Sequence, residues 1–141
     1  MINSFRGEHR FLSNFHPIEI EYEGEWYPSV EHAYQAAKTI EKSVRMFFLA
    51  GSSGDAKKLG RSINLRPDWD QVKVPIMREL LKKKFTKGTV LADKLLSTGD
   101  EELIEGNWWG DCFWGVCKGK GENWLGKLLM EVRSELKGKA H

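Results

Sequence analysis

Cysteine is scarce in this sequence, with two in 141 residues, Cys112 and Cys117, separated by four residues and without a histidine cluster nearby. That excludes a disulfide framework and a structural zinc site, and reduced thiols in a cytosol are expected. No apolar run approaches the roughly 18 residues of a membrane span. The opening Met-Ile-Asn-Ser-Phe-Arg-Gly-Glu lacks a basic segment followed by an apolar one. A soluble, cytoplasmic protein with no membrane partner is the expectation. Net charge is small as well: 22 Lys and Arg against 20 Asp and Glu leave +2. A balance so even argues against wholesale phosphate-backbone binding, so any nucleic-acid partner has to be recognised locally. Internal repeats, linkers and low-complexity tails are missing too, which predicts one domain over residues 1–141, long enough to bury a core without metals or disulfides. No residue pattern calls for a metal or a cofactor.

Tryptophan, in contrast, is abundant. Six are present, four of them between Trp108 and Trp124. Large aromatic surfaces fill cores, and they also stack on planar ligands such as nucleobases, so this excess points to a base or nucleotide pocket.

The predicted class is α+β, predominantly helical, with a small β-hairpin. Arg6 to Phe15 has no lasting period and reads as an ordered loop or short strand. Ile18 to Tyr22 alternates apolar and charged residues, and Glu23-Gly24 turns it into Glu25-Trp-Tyr27. A helix follows within Trp26 to Lys38, started by Pro28 and capped by Ser29. Lys42 to Ala50 and Asp55 to Gly60 are short helices. Asp68 is placed to cap a longer helix from Trp69 to about Phe85, which Pro75 kinks or divides. Its Lys82-Lys83-Lys84 run reads as a solvated end near the negative pole of the helix dipole. Thr89 to Leu96 is another short helix, Glu102 to Glu105 a candidate strand, and Gly106 to Gly115 a turn-rich aromatic segment. Asn123 is placed to cap a final helix whose Leu125, Leu128, Leu129, Val132 and Leu136 share one face.

Two segments hold residues suited to chemistry. Glu31, Gln35 and Lys38 stand at i, i+4 and i+7, so an acid, an amide and an amine project from one side of the first helix. The bland alternative is a solvated amphipathic face with Tyr34 in the core. In Trp108-Trp-Gly-Asp-Cys-Phe-Trp114, Asp111 lies between indoles, a setting that raises a carboxyl pKa and suits proton transfer. The alternative is an Asx turn in a glycine-rich loop, with the tryptophans merely packing.

Taken in order, Phe11-Leu-Ser-Asn-Phe15, Trp26 to Lys38, Gly60-Arg61, Arg66-Pro-Asp-Trp69, Asn107-Trp-Trp-Gly-Asp-Cys-Phe-Trp-Gly115 and Gly121-Glu-Asn-Trp-Leu-Gly126 resemble the NADAR family, also called YbiA-like, from about Phe5 to Arg133. The resemblance implies a single compact, mostly helical domain. It also implies N-glycosidase activity on a phosphorylated intermediate of riboflavin synthesis or on ADP-ribosylated guanine. Carried over motif by motif, it points to Glu31, Trp69, Asp111 and Trp114 as site residues and to Lys38 as an amine able to attack the ribose carbon.

Cleaving such a bond builds positive charge on the sugar and negative charge on the departing base. Glu31 suits the cationic sugar, Asp111 the leaving group, and Trp69, Trp109 or Trp114 a stacked base. Lys38 is expected either to form a Schiff base or to stay charged beside Glu31 or a phosphate. Arg10 and Arg61 are candidate phosphate ligands, with surface salt bridges as the alternative. Asn14 is a candidate for the ribose hydroxyls, and Gln35 shares the Glu31 face. The expected partner is a small ribosylated base or ADP-ribosyl nucleotide, free or in nucleic acid. The competing reading is a module that binds ADP-ribose or a nucleotide without cleaving it.

Overall fold

The computed structural model describes residues 1–138. Its contacts divide into two units, Asn14–Lys84 and Met1–Ser13 with Phe85–His141.

The first unit opens on a hairpin of β1 (Pro17–Tyr22) and β2 (Glu25–Ser29), paired antiparallel with Ile20 opposite Tyr27 and Tyr22 opposite Glu25. Glu23 and Gly24 both take positive φ, 47° and 92°, the twist-matched geometry of a two-residue hairpin turn. Alternation along the strands buries Ile20, Tyr22 and Tyr27. β2 runs directly into α1 (Val30–Ala36). Short helices α2 (Lys42–Arg45) and α3 (Ser53–Gly60) follow, with a 3-10 turn at Met46–Phe48 between them. A full capping box, Ser52 with Asp55, starts α3. The long α4 (Trp69–Lys84) closes the unit. α1 sits at its centre, packed on β1, β2, α3 and α4. Ala33, Ala36 and Ala37 are completely buried, so these neighbours approach the α1 backbone closely.

Pro75 neither divides nor ends α4, which is one helix of 16 residues. The ring removes one N–H and frees the Gln71 carbonyl, but Gln71 and Pro75 are both exposed, so water satisfies that group. Ile76, Met77, Leu80 and Leu81 form the buried stripe. Each fully buried side chain of this size contributes about 1.5–3 kcal/mol over an exposed one.

The second unit begins with a 3-10 helix at Gly7–Leu12, where the sequence suggests a loop or strand, and includes α5 (Val90–Ser97) capped by Thr89. Glu102 to Glu105 is no strand: Leu103 makes only an isolated bridge with Ile2. The ladder forms one step later, as a two-residue parallel pair of β3 (Gly106–Asn107) and β4 (Val116–Cys117). α6 (Trp124–Leu136) buries Leu125, Leu128, Leu129 and Val132, while Leu136 is half-buried.

Three other expectations fail for identifiable reasons. The Asp68 carboxylate does not cap α4, because Arg66 holds both of its oxygens, at 2.7 and 3.2 Å. The Asn123 side chain leaves α6 and instead accepts from Glu105 N–H and donates to Leu103 C=O, each at 2.9 Å. The lysine run is not a solvated end. Lys83 pairs with Glu21 and Glu79, and Lys84 is buried. Among the described residues, no helix is long and apolar enough to cross a membrane.

Candidate active site

Ser29 fixes where α1 begins. Its Oγ accepts the His32 N–H at 3.2 Å and lies 2.6 Å from His32 Nδ1. His32 Nε2 is 2.9 Å from Gly51 O; a carbonyl only accepts, so Nε2 carries a proton. Ser53 Oγ lies 3.0 Å from Ser29 Oγ and 3.1 Å from Phe15 O, tying α3 to the same cap. This buried polar chain sets the start of α1 and with it the position of Glu31 in the first turn.

Glu31 is 8% exposed, and its N–H donates to Asn14 O at 3.0 Å. Gln35, one turn on, donates from Nε2 to Glu31 Oε2 at 2.6 Å. The carboxylate is therefore a buried, oriented group, not the solvated one of the bland alternative. Gln35 in turn rests on Gly60 of α3, where an added Cβ would overlap its Oε1 and Cδ. Gln35 Oε1 and Asn14 Oδ1 are buried without a hydrogen-bond partner.

Lys38 does not belong to the helix, which ends at Ala36 with Ala37 as its cap; Lys38 occupies the turn beyond. The half-buried amine lies 5.9 Å from the Tyr34 ring centroid, and Tyr34 packs at 5.2 Å on Trp69. Burial lowers its pKa, Glu31 opposes that shift, and Arg61, Lys57 and Lys73 reinforce it. The turn is held from the far side: Arg66 N–H donates to Lys38 O at 2.7 Å while the Arg66 fork grips Asp68. Arg66-Pro-Asp-Trp69 thus locks the Lys38 turn and delivers Trp69 to the first turn of α4, 6% exposed.

In the other unit Asp111 anchors an Asx turn, the alternative left open by its sequence. Its Oδ1 accepts N–H bonds from Phe113 at 3.1 Å and Trp114 at 2.9 Å. Asn107 clamps the loop, donating to Asp111 O at 2.9 Å and accepting from Asp111 N at 3.1 Å. Phe113 packs edge-on to Trp114 at 4.9 Å and stacks on Trp124 at 6.3 Å. Trp109 is 47% exposed, and Arg10 is exposed at the end of the 3-10 helix.

Asn14, Glu31, Gln35, Lys38, Arg61 and Trp69 therefore belong to one unit, and Arg10, Trp109, Asp111 and Trp114 to the other. Residue-type reasoning missed Gly60 as the seat of Gln35, Arg66 as the brace of Lys38, and Lys57 and Lys73 as its cationic neighbours. Arg66 left a readable signal, an arginine two residues before an aspartate across a proline. Gly60 left none, since its role depends on what α1 places against it. Among the described residues no group of three or more His, Cys, Asp or Glu is arranged to hold a metal ion.

An N-glycosidase of Nostoc punctiforme is 42% identical over 89% of this chain and 85% of its own. N-glycosidase YbiA of Escherichia coli is 38% identical over 89% of this chain and 80% of its own. A riboflavin biosynthesis protein of Vibrio vulnificus is 42% identical over 91% of this chain, which spans only 36% of that longer protein. The NMR structure of E. coli YbiA superimposes with a TM-score of 0.83 at 33% identity, covering 100% of this chain and 91% of that one. The mostly helical α+β fold is thus shared with YbiA, and relatives matched over most of their length are named as glycosidases, which are hydrolytic enzymes. With the NADAR domain model matching residues 3–137, the chain belongs to the NADAR domain family.

Proposed function

We propose that this chain is an N-glycosidase that hydrolyses the bond between ribose and a base in a phosphorylated N-ribosyl compound. The observation that carries the reading is the Glu31 and Lys38 pair: a buried carboxylate oriented by Gln35, and a half-buried amine whose pKa is lowered by burial. Departure of a base leaves an oxocarbenium-like sugar, and a carboxylate fixed in advance stabilises it without reorganisation. The uncharged form of Lys38 is a nucleophile for the ribose carbon; the charged form is a phosphate ligand. Arg61, Lys57 and Lys73 supply positive charge around it. Asn14 is a candidate for the ribose hydroxyls, and Gln35 serves substrate binding through the orientation it gives Glu31. Trp69, Trp109 and Trp114 are candidates to stack on the base, Asp111 to assist its departure, and Arg10 to contact phosphate.

Two substrates fit that description: the phosphorylated ribosylaminouracil intermediate of riboflavin synthesis and ADP-ribosylated guanine. The Vibrio relative, which is named a riboflavin biosynthesis protein, supports the first. The test incubates purified protein, with EDTA present, with each substrate in parallel and follows released base or ADP-ribose by mass spectrometry. Release from either one, abolished by Glu31→Gln, is the expected result. Intact substrates after long incubation, with tight binding by calorimetry, would establish a binding module instead.

A further inference from the structure

The loop that carries Asp111 exposes a surface that extends past Trp109, a candidate to stack on the base, to Trp108 and two lysines to which the proposed reaction assigns no role. Trp108 is 67% exposed, and it meets Trp109 edge-on with centroids 4.8 Å apart and planes at 81°. The Arg6 guanidinium lies over Trp108 at 4.8 Å from the ring centroid. The two indoles wall a surface pocket of about 630 Å³ whose other lining residues are Gly110, Cys112, Cys117, Lys118 and Lys120. Among the described residues no acidic side chain lines it.

The frame beneath is rigid. Asn107 and Asp111 clamp the indole loop through two side-chain hydrogen bonds, and Gly110 takes φ 88° to turn it. Opposite, Cys117 and Lys120 exchange backbone bonds at 2.8 and 3.0 Å, making Lys118-Gly119 the two-residue tip of a tight turn. Both tip residues are left-handed, φ 53° and 76°. Glycine, asparagine or aspartate fit such a position with least strain, yet a lysine occupies the first. Lys118 and Lys120 are exposed, and neither has an ion-pair partner among the described residues.

Exposed indoles held in place, beside cations left unpaired, match the two faces of a nucleotide, a flat base and an anionic phosphate. The ring planes are nearly perpendicular, and the cations flank them from two separate segments of chain. Such a surface offers several base and phosphate positions along a strand, more than one mononucleotide fills. We propose that Trp108, Trp109, Lys118, Lys120 and Arg6 form a docking surface for single-stranded polynucleotide, with a base stacked on the indoles and phosphates on the lysines.

Fluorescence anisotropy of a labelled oligothymidylate of about twelve nucleotides tests this, since base stacking is tolerant of sequence. The full chain should bind it, with affinity falling with salt at a log–log slope of roughly 2 for three phosphate contacts. Trp108→Ala and the double variant Lys118→Glu, Lys120→Glu should each weaken binding by about tenfold or more. Circular dichroism of the variants should match the parent, because all three side chains are exposed. Release of base from a mononucleotide-sized substrate should stay unchanged in them, which separates this surface from the reaction. No binding by the parent, equal binding by the variants, displacement by thymidine monophosphate as effective as by the strand, or binding to phosphatidylserine vesicles in place of the strand would each overturn the proposal.

Discussion

Gln35 lies against Gly60 so closely that no Cβ fits between them, and the same amide donates the 2.6 Å bond that orients Glu31. A methyl group on α3 would therefore act on a carboxylate in α1 that it does not touch. Gly60→Ala is expected to displace the amide and lower kcat about tenfold or more, with KM changed less. Gln35→Leu should do the same, because Glu31 loses the 2.6 Å bond from Gln35 that orients it. Steady-state kinetics with thermal melts checks both; full turnover in a well-folded Gly60→Ala protein would remove Gln35 from any positioning role.

Asp111 holds a turn through Oδ1, so truncation confuses structure with chemistry. Asparagine keeps the acceptor oxygen and removes the acid. Asp111→Asn is expected to melt within about 1 kcal/mol of the parent yet lose about a hundredfold or more in kcat. Asp111→Ala should lose both activity and stability. An active Asp111→Asn protein would show that the residue serves the loop alone.

The hairpin, the Ser29 cap and the apolar stripes of α4 and α6 were legible because local signals and burial agree there: alternation in β1, a capping residue before α1, leucines at helical spacing. Glu31 and Gln35 were legible as neighbours on one helical face. What escaped depends on partners distant in sequence. Lys84 looks like part of a solvated basic tail until burial is known, and Asn123 looks like a helix cap until its amide is seen spanning Glu105 and Leu103. Phe47 and Phe48 stand three and four residues after Val44, both at helical spacing, but one is 72% exposed and the other fully buried, because the chain there tightens to a 3-10 turn and shifts the face.

Lys38 gives a pH test with a definite sign. Burial lowers its pKa below the ordinary 10.5 and Glu31 holds it up, so the uncharged amine is populated at a lower pH than for a surface lysine. An NMR titration of the lysine side chains should show Lys38 titrating, with the buried Lys84, below the surface lysines, and Glu31→Gln should move Lys38 lower still. Borohydride trapping of an enzyme–sugar adduct should grow as pH rises through that pKa, and Lys38→Arg should abolish it. Titration of Lys38 with the surface lysines, and no trapped adduct at any pH, would leave it as a phosphate ligand.

Lys84 should leave its mark on stability. Lys84 is 1% exposed, and burial pulls its pKa down from 10.5 to about 7. Between these values the unfolded chain holds a proton that the native protein does not, so stability rises with pH by up to about 1.4 kcal/mol per unit. Below about 7 both states are protonated and the penalty is present in full; above 10.5 it is gone. Lys84→Met has a similar length and no titrating group, so it should flatten the slope. Other groups titrate in the same window, and the difference between parent and variant isolates this one. Denaturant melts from pH 7 to about 9 make the comparison. Parallel stability curves for the two proteins would mean that the native state keeps Lys84 charged at neutral pH, compensated by its surroundings.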